Sequence, residues 1–468
     1  MTGKRVAFGF WLLSLSCLII GLLFGMSGSL QYIWPGFLKD QFSFAHMRPL
    51  HVFLITQWIS GAATGSMYYF IPSVAKRKLF SPILAQIHLF MQVSIIMVAV
   101  SDFFLGNFTG REYMEFPLWM AGVMILGWVL ALINFIGTVR PNFNKAPVYV
   151  WSWTTGLVFF IITITEATLW QFDHFNANII RDITIQWKAL GSMVGAWNML
   201  IYGSAMYVMC KISKSDEMAR SKPAFFFYFL GLTNLMFNWG HHTYIVPASP
   251  AIRITAYAIS MTELLILFNM IWKWSKSLTK EDKEQHFSYR MLKSTDNWIL
   301  LNLTLALLIS IPALNQYTHG THVTVAHGMG ATIGINTTIL LAAGFYILFL
   351  EKKLPALNTT GWNQFAMGFF NVSLLVFWIS LIGSGIAKAA SQSENKSFAE
   401  IMVKLKPWFH VFSFSGFLLT VAIVILAAPL IRFFVKPQIR KQVIITKQPG
   451  STTYVINVNK QEQEHAEV

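Results

Sequence analysis

His241 and His242 stand side by side in the apolar run Phe237-Asn-Trp-Gly-His-His-Thr-Tyr. Ionisable side chains inside lipid-spanning segments are costly, so they mark function by default. Adjacent helical residues project about 100° apart, yet both imidazoles can converge on an ion held between two helices. Two hydrogen-bonded core histidines are the plainer alternative, and the adjacency favours a metal. A second cluster reads Tyr317-Thr-His-Gly-Thr-His-Val-Thr-Val-Ala-His-Gly-Met-Gly-Ala. Its His327 and Met329 lie two residues apart, about 200° around a helix. One helix can therefore ligate two groups, one on each flank. Gly328, Gly330 and Ala331 leave room for flat macrocycles or for close helix packing. Met329 read alone is equally a core filler. His51 follows Arg48-Pro49-Leu50 and precedes the small-residue run Ser60-Gly-Ala-Ala-Thr-Gly-Ser, another surface suited to close packing.

The elements that must position these residues are set by composition. Of 468 residues, 55% are hydrophobic and only 12% charged. Ordinary soluble domains carry about 25% charged residues, so this chain cannot cover a water-facing surface of its size. Secreted, disordered and cytosolic classes are excluded, leaving a polytopic membrane protein. A span needs about 20 apolar residues, and twelve segments qualify, at about 8–33, 47–74, 82–106, 116–138, 148–171, 183–210, 224–247, 250–274, 296–316, 319–350, 364–388 and 408–433. The expected fold is an all-α twelve-helix bundle over residues 1–434, followed by a polar cytoplasmic tail over 435–468. That tail carries two β-prone stretches, Val443–Thr446 and Tyr454–Val458.

Formal net charge is +15, and Lys and Arg gather on every second loop: Lys76, Arg77 and Lys78, then Arg140 and Lys145, then 211–222, 273–293 and the tail. That bias puts both termini in the cytoplasm and accounts for the basic excess without a nucleic-acid partner. Cys17 and Cys210 are far apart, and no Cys-x-x-Cys-His occurs, so neither a disulfide framework nor a covalently attached haem is expected. With this orientation His51, His241, His242 and His327 all fall in the outer half of the bilayer. Independent core histidines need not share a level, so the agreement points to one haem and metal centre.

Three motifs resemble subunit I of the haem-copper oxidase superfamily: Arg48-Pro-Leu-His, Gly240-His-His, and the Thr318–Gly328 run. The resemblance spans most of the chain and is nearest to the nitric oxide reductase large subunit and the C-type cytochrome oxidases. It implies a catalytic subunit of a respiratory oxidoreductase in the bacterial inner membrane. Electrons would come from a membrane-anchored cytochrome c subunit, pass through a low-spin haem b, and reduce nitric oxide or dioxygen at a high-spin haem b. By the same resemblance His51 is an axial ligand of the low-spin haem and His327 the proximal ligand of the high-spin haem. His241 and His242 are ligands of a non-haem iron or copper. Glu263, in Ser260-Met-Thr-Glu-Leu-Leu, matches a glutamate that the reductases keep near the active site, where it can relay protons.

Two positions depart from the pattern. Met329 stands where the family has the second histidine of the low-spin haem, a reasonable axial thioether. Gly191 stands at the third ligand of the non-haem metal, and Gly195 where the reductases have a further glutamate. Gln186, Lys188, Ser192, Asn198 and, in span 5, Glu166 are the nearby polar replacements. A site of two histidines with an oxygen ligand would hold metal weakly and prefer iron to copper. The alternative is a non-catalytic haem-binding relative, serving electron transfer, sensing or assembly, that has lost the metal. A transporter without cofactor suits twelve spans equally well but leaves the span-10 motif without a purpose.

Overall fold

The computed structural model describes residues 2–244, 246–247, 249–259, 262–352, 361–435, 442–447 and 454–459. Seventeen α-helices run in order: α1 Gly3–Leu30, α2 Phe44–Ala75, α3 Pro82–Phe104, α4 Leu118–Val139, α5 Val148–Glu166, α6 Asp173–Asn176, α7 Ile179–Ile212, α8 Lys222–Phe237, α9 Pro250–Ile259, α10 Thr262–Ser277, α11 Lys280–Gln285, α12 Phe287–Ser310, α13 Pro312–Thr318, α14 His322–Met329, α15 Thr338–Lys352, α16 Gly361–Ser393 and α17 Phe398–Val435. Strands β1 Gln442–Lys447 and β2 Tyr454–Asn459 pair antiparallel, Gln442 opposite Asn459, where the tail carried its β-prone stretches.

Helix starts follow local chemistry. Ser81 accepts from the Leu84 amide at 3.3 Å and Ser221 from the Ala224 amide at 3.3 Å, each with a proline in the first turn of the helix it opens. Asn178 caps α7 through the amides of Ile180 (3.0 Å) and Arg181 (3.2 Å). Large apolar side chains stand out from the surface, Phe90 72% exposed and Met97 64%, which suits lipid rather than water.

All twelve expected segments are helical. Among the described residues, eight helices are long and apolar enough to cross a membrane on their own, and the bent pair α12 and α13 would make a ninth span. The expected seventh and ninth spans are each divided. The seventh is α8 followed by a 3-10 turn, Asn238–Thr243. The eighth is described as α9 and α10, on either side of residues 260–261, which lie outside the described residues. The ninth bends by 98° between α12 and α13. The tenth runs α14, a π-helical stretch at Gly330–Thr337, then α15. Thr337 Oγ1 donates to the Thr332 carbonyl five residues back at 2.8 Å, reinforcing the wider winding. Irregular backbone at membrane depth is tolerated where it is buried in protein or lines a cavity. Both the 3-10 turn and the π stretch border the same internal space.

That space is held open by its walls. Trp11, Trp58, Trp153 and Trp298 are the largest fully buried side chains. Trp58 of α2 donates Nε1–H to Thr337 of the π stretch at 3.2 Å, and Asn336 Nδ2 donates to Asn198 Oδ1 of α7 at 3.2 Å. α1 packs on α2 and α17, α5 on α7, and α12 on α15.

Candidate functional site

One cavity of about 1150 Å³ lies among α2, α7, the 3-10 turn and α14, and His51, His241, His242, His327 and Met329 all line it. The residues singled out from the sequence are thus gathered from three separate segments into one interior. Glu263 falls in the first turn of α10, and its side chain lies outside the described residues.

His51 is set by α1. Its Nδ1 bonds the Gly21 carbonyl at 2.7 Å. A carbonyl only accepts, so the proton sits on Nδ1 and Nε2 keeps its lone pair. The ring nests against Gly25, where a Cβ would lie 2.5 Å from Nδ1 and 2.7 Å from Cε1. Any side chain at 25 therefore pushes the imidazole away. His327 is held by α14, which Thr321 caps through the Val323 amide at 3.2 Å. Its Nδ1 is buried without a hydrogen-bond partner. A polar atom left unpaired in an apolar interior is costly, so such a group in a native fold calls for an explanation.

His241 and His242 sit on the 3-10 turn rather than on the α-helix expected for them. Their rings are 4.1 Å apart and tilted by 38°. His241 Nδ1 bonds Asn238 Oδ1 at 3.1 Å. The amide oxygen accepts, so His241 also presents Nε2 unprotonated. His242 is stacked on Trp187 of α7, centroids 4.8 Å apart and planes within 10°.

The close approach of α7 explains this arrangement. Gly191 and Gly195, one turn apart, let the α8 end and the 3-10 turn come down onto the helix backbone. A Cβ at 191 would lie 2.6 Å from Trp239 Cβ and 3.0 Å from its Cα; one at 195 would lie 2.7 Å from Leu235 Cβ and 2.8 Å from its Cα. The polar residues nearby are engaged elsewhere. Lys188 pairs with Glu166, Gln186 donates to the Glu112 carbonyl at 3.2 Å, and Asn198 accepts from Asn336. Ser192 Oγ is buried without a partner. Among the described residues no three of His, Cys, Asp and Glu come together as a metal site.

The outer rim is tied by charge. Arg48 pairs with Glu112 and lies 3.8 Å from Glu115, with its guanidinium 5.2 Å from the Tyr113 ring centroid. Arg111 pairs with Asp182 at 2.7 Å. These contacts fold the segment between α3 and α4 over the cavity. A smaller cavity of about 410 Å³ reaches His242 and His319 past Arg111, Gln186 and Trp187. His319 and His322 also line the large cavity. Trp187 and Asn238 carry no signal of their own in the sequence. The spacing Gly191-x-x-x-Gly195 is the available sign of the tight packing that positions Trp187.

The residues fit haem. Two imidazoles from different helices face a volume large enough for flat macrocycles, one with its tautomer fixed and the other with an unpaired ring nitrogen. They do not fit a third-histidine metal site at Gly191, where the resemblance implies the third ligand, because a Cβ there would run into Trp239.

The model of the family described as cytochrome c and quinol oxidase polypeptide I matches residues 5–418. A nitric oxide reductase chain of Stutzerimonas stutzeri is 23% identical over 415 residues, covering 82% of this chain and 84% of that protein. The cbb3-type cytochrome c oxidase subunit CcoN1 of the same organism is 21% identical over 441 residues, covering 87% and 90%. A haem-copper terminal oxidase dimer solved by cryo-electron microscopy shares the fold with a TM-score of 0.74 at 15% identity, over 94% of this chain and 85% of that one. The chain is therefore a multi-pass membrane protein of the cytochrome c and quinol oxidase polypeptide I family, the subunit I family of the haem-copper respiratory oxidoreductases.

Proposed function

We propose that this chain is the catalytic subunit of a bacterial respiratory complex that reduces nitric oxide or dioxygen, with electrons from a membrane-anchored cytochrome c subunit. It lies in the inner membrane with both termini cytoplasmic. The observation that carries the reading is the single cavity that His51, Met329, His327, His241 and His242 share. His51 with Met329 would hold one haem b and His327 a second, and bound haem would supply electron transfer and the binding of a small gas. The remaining work belongs to the side chains. Gly21 and Gly25 fix the His51 ring so that Nε2 points from its hydrogen-bonded edge toward the cavity. Met329 and His327, two residues apart on α14, project to opposite flanks and so keep two flat groups close together. The Arg48–Glu112 pair and its neighbours close the outer rim and keep bulk water out. Glu263 relays protons toward the site.

One observation favours a second reading. The closed position at Gly191 suits a haem-binding relative without a non-haem metal, working in electron transfer, sensing or assembly. Turnover separates the two. Purified protein with its full haem complement is supplied with a reduced cytochrome c or an artificial donor, and consumption of nitric oxide and of dioxygen is followed. The catalytic reading expects sustained uptake of one gas. Absence of uptake of both, at full haem content, rejects it.

A further inference from the structure

The strongest unassigned feature is the contact between α7 and the 3-10 turn. We infer that His241 and His242 do not hold a non-haem metal and instead form a metal-free hydrogen-bonding wall, with Trp187 as its positioning residue, facing a gas bound on the His327 side. The inference rests on the haem reading above and deepens it: the gas site has one iron.

Three observations carry it. The first is steric. Position 191 of α7 faces the pair: a Cβ there would lie 3.7 Å from His242 Cδ2, and also 2.6 Å from Trp239 Cβ. A histidine at 191 would require α7 and the turn to separate, so the loss of the ligand and the close packing are one change. The second is the ring of His242, which lies flat on Trp187, with centroids 4.8 Å apart. Stacking on an indole face fixes the imidazole plane without any metal. The third is the hydrogen bond from His241 Nδ1 to Asn238 Oδ1, which fixes the tautomer and leaves Nε2 as a proton acceptor aimed away from its own backbone. Glu166, the carboxylate of α5, is paired with Lys188 and does not line the cavity that His241 and His242 share.

Two imidazoles so fixed, beside a diatomic held on the His327 side, are enough to accept a hydrogen bond from a protonated species or to set the local field. A second gas molecule has no metal of its own to bind.

The test uses the purified full-length chain with its haem. Haem is counted by pyridine haemochrome. Iron, copper and zinc beyond haem iron are counted by elemental analysis, before and after equilibration with Fe²⁺, Cu⁺ or Zn²⁺ and desalting. The carbon monoxide adduct of the reduced protein is then read by its C–O stretching band. The inference expects haem without a retained second metal, and a C–O band that added metal leaves in place. It also expects His242→Ala and Trp187→Ala to shift the band, while Trp187→Phe, which keeps a stacking ring, restores it at unchanged haem content. One tightly held non-haem metal per chain, lost in His241→Gln or His242→Ala, overturns the inference while the haem reading stands. A purified chain with no haem overturns both.

Discussion

Replacing Gly25 by alanine tests the link between fold and site without touching a candidate ligand. The added Cβ would lie 2.5 Å from His51 Nδ1, 2.7 Å from Cε1 and 3.2 Å from Cγ. Three ring atoms inside van der Waals contact cannot be relieved by turning the imidazole in its plane. The ring must leave its notch, and in leaving it breaks the 2.7 Å bond to the Gly21 carbonyl. Overpacking of this kind costs about 1–3 kcal/mol, and the lost hydrogen bond about 0.5–1.5 kcal/mol. Loss of a partner that orients a ligating histidine typically weakens binding about 10–100-fold. The expected result is a chain that folds in the membrane but loses the haem on His51, so that haem per chain falls by half in the pyridine haemochrome assay. Gly28→Ala is the control. It lies on the same helix one turn on, where a Cβ meets only ordinary contacts, 3.6 Å from Met47 Cβ and 3.8 Å from Phe44. It is expected to retain all haem. Full haem content and an unchanged reduced spectrum in Gly25→Ala would refute the assignment of His51 as a haem ligand set by α1.

Other perturbations follow from the same contacts. Gly191→Ala pushes the 3-10 turn off α7, and about 1–3 kcal/mol of destabilisation is expected in thermal unfolding of detergent-solubilised protein. Lys188→Met strips the partner from Glu166, whose Oε2 already lacks one, and is expected to cost up to about 3 kcal/mol, with Glu166→Leu added in the double variant recovering most of it. Asp282 lies in the first turn of α11, outside the membrane, and Thr279 caps that helix: the Asp282 carboxylate accepts from Thr279 Oγ1 at 2.7 Å and Lys214 Nζ at 3.1 Å, and the Thr279 bond foremost holds it below the usual carboxylate range. The folded group stays charged at lower pH than the unfolded one. Its stabilisation is therefore present above about pH 4, is lost as pH falls through the depressed value, and disappears in Asp282→Asn. Unfolding midpoints measured across pH 2–6, a window of roughly two units either side of the ordinary Asp value, check this.

Much of the architecture was legible because lipid leaves few choices. Long apolar runs must become helices, so the twelve expected segments are helical over most of their described residues, and eight helices are each long and apolar enough to cross a membrane. Histidine is rare enough in such runs that His51, His241, His242 and His327 stood out, and they share one cavity. What escaped the sequence is local winding and close approach. The 3-10 turn under His241 and the π stretch after Met329 arise from packing against α7 and α12, which a period of 3.6 residues does not encode. Gly330 and Gly334, for example, sit against Asn302 and Trp298 of α12. Trp187 was one aromatic among many until the approach at Gly191 put it on His242. Asn238 has meaning only beside His241, three residues on.

Haem stoichiometry in the purified chain is the most direct measurement. The cavity that joins His51, Met329 and His327 predicts two b-type haems per chain in the pyridine haemochrome spectrum, falling to one in either His51→Ala or His327→Ala, with carbon monoxide binding lost only in the second. A chain that purifies intact without haem, or whose haem content neither histidine controls, would contradict the assignment of this cavity as a haem site.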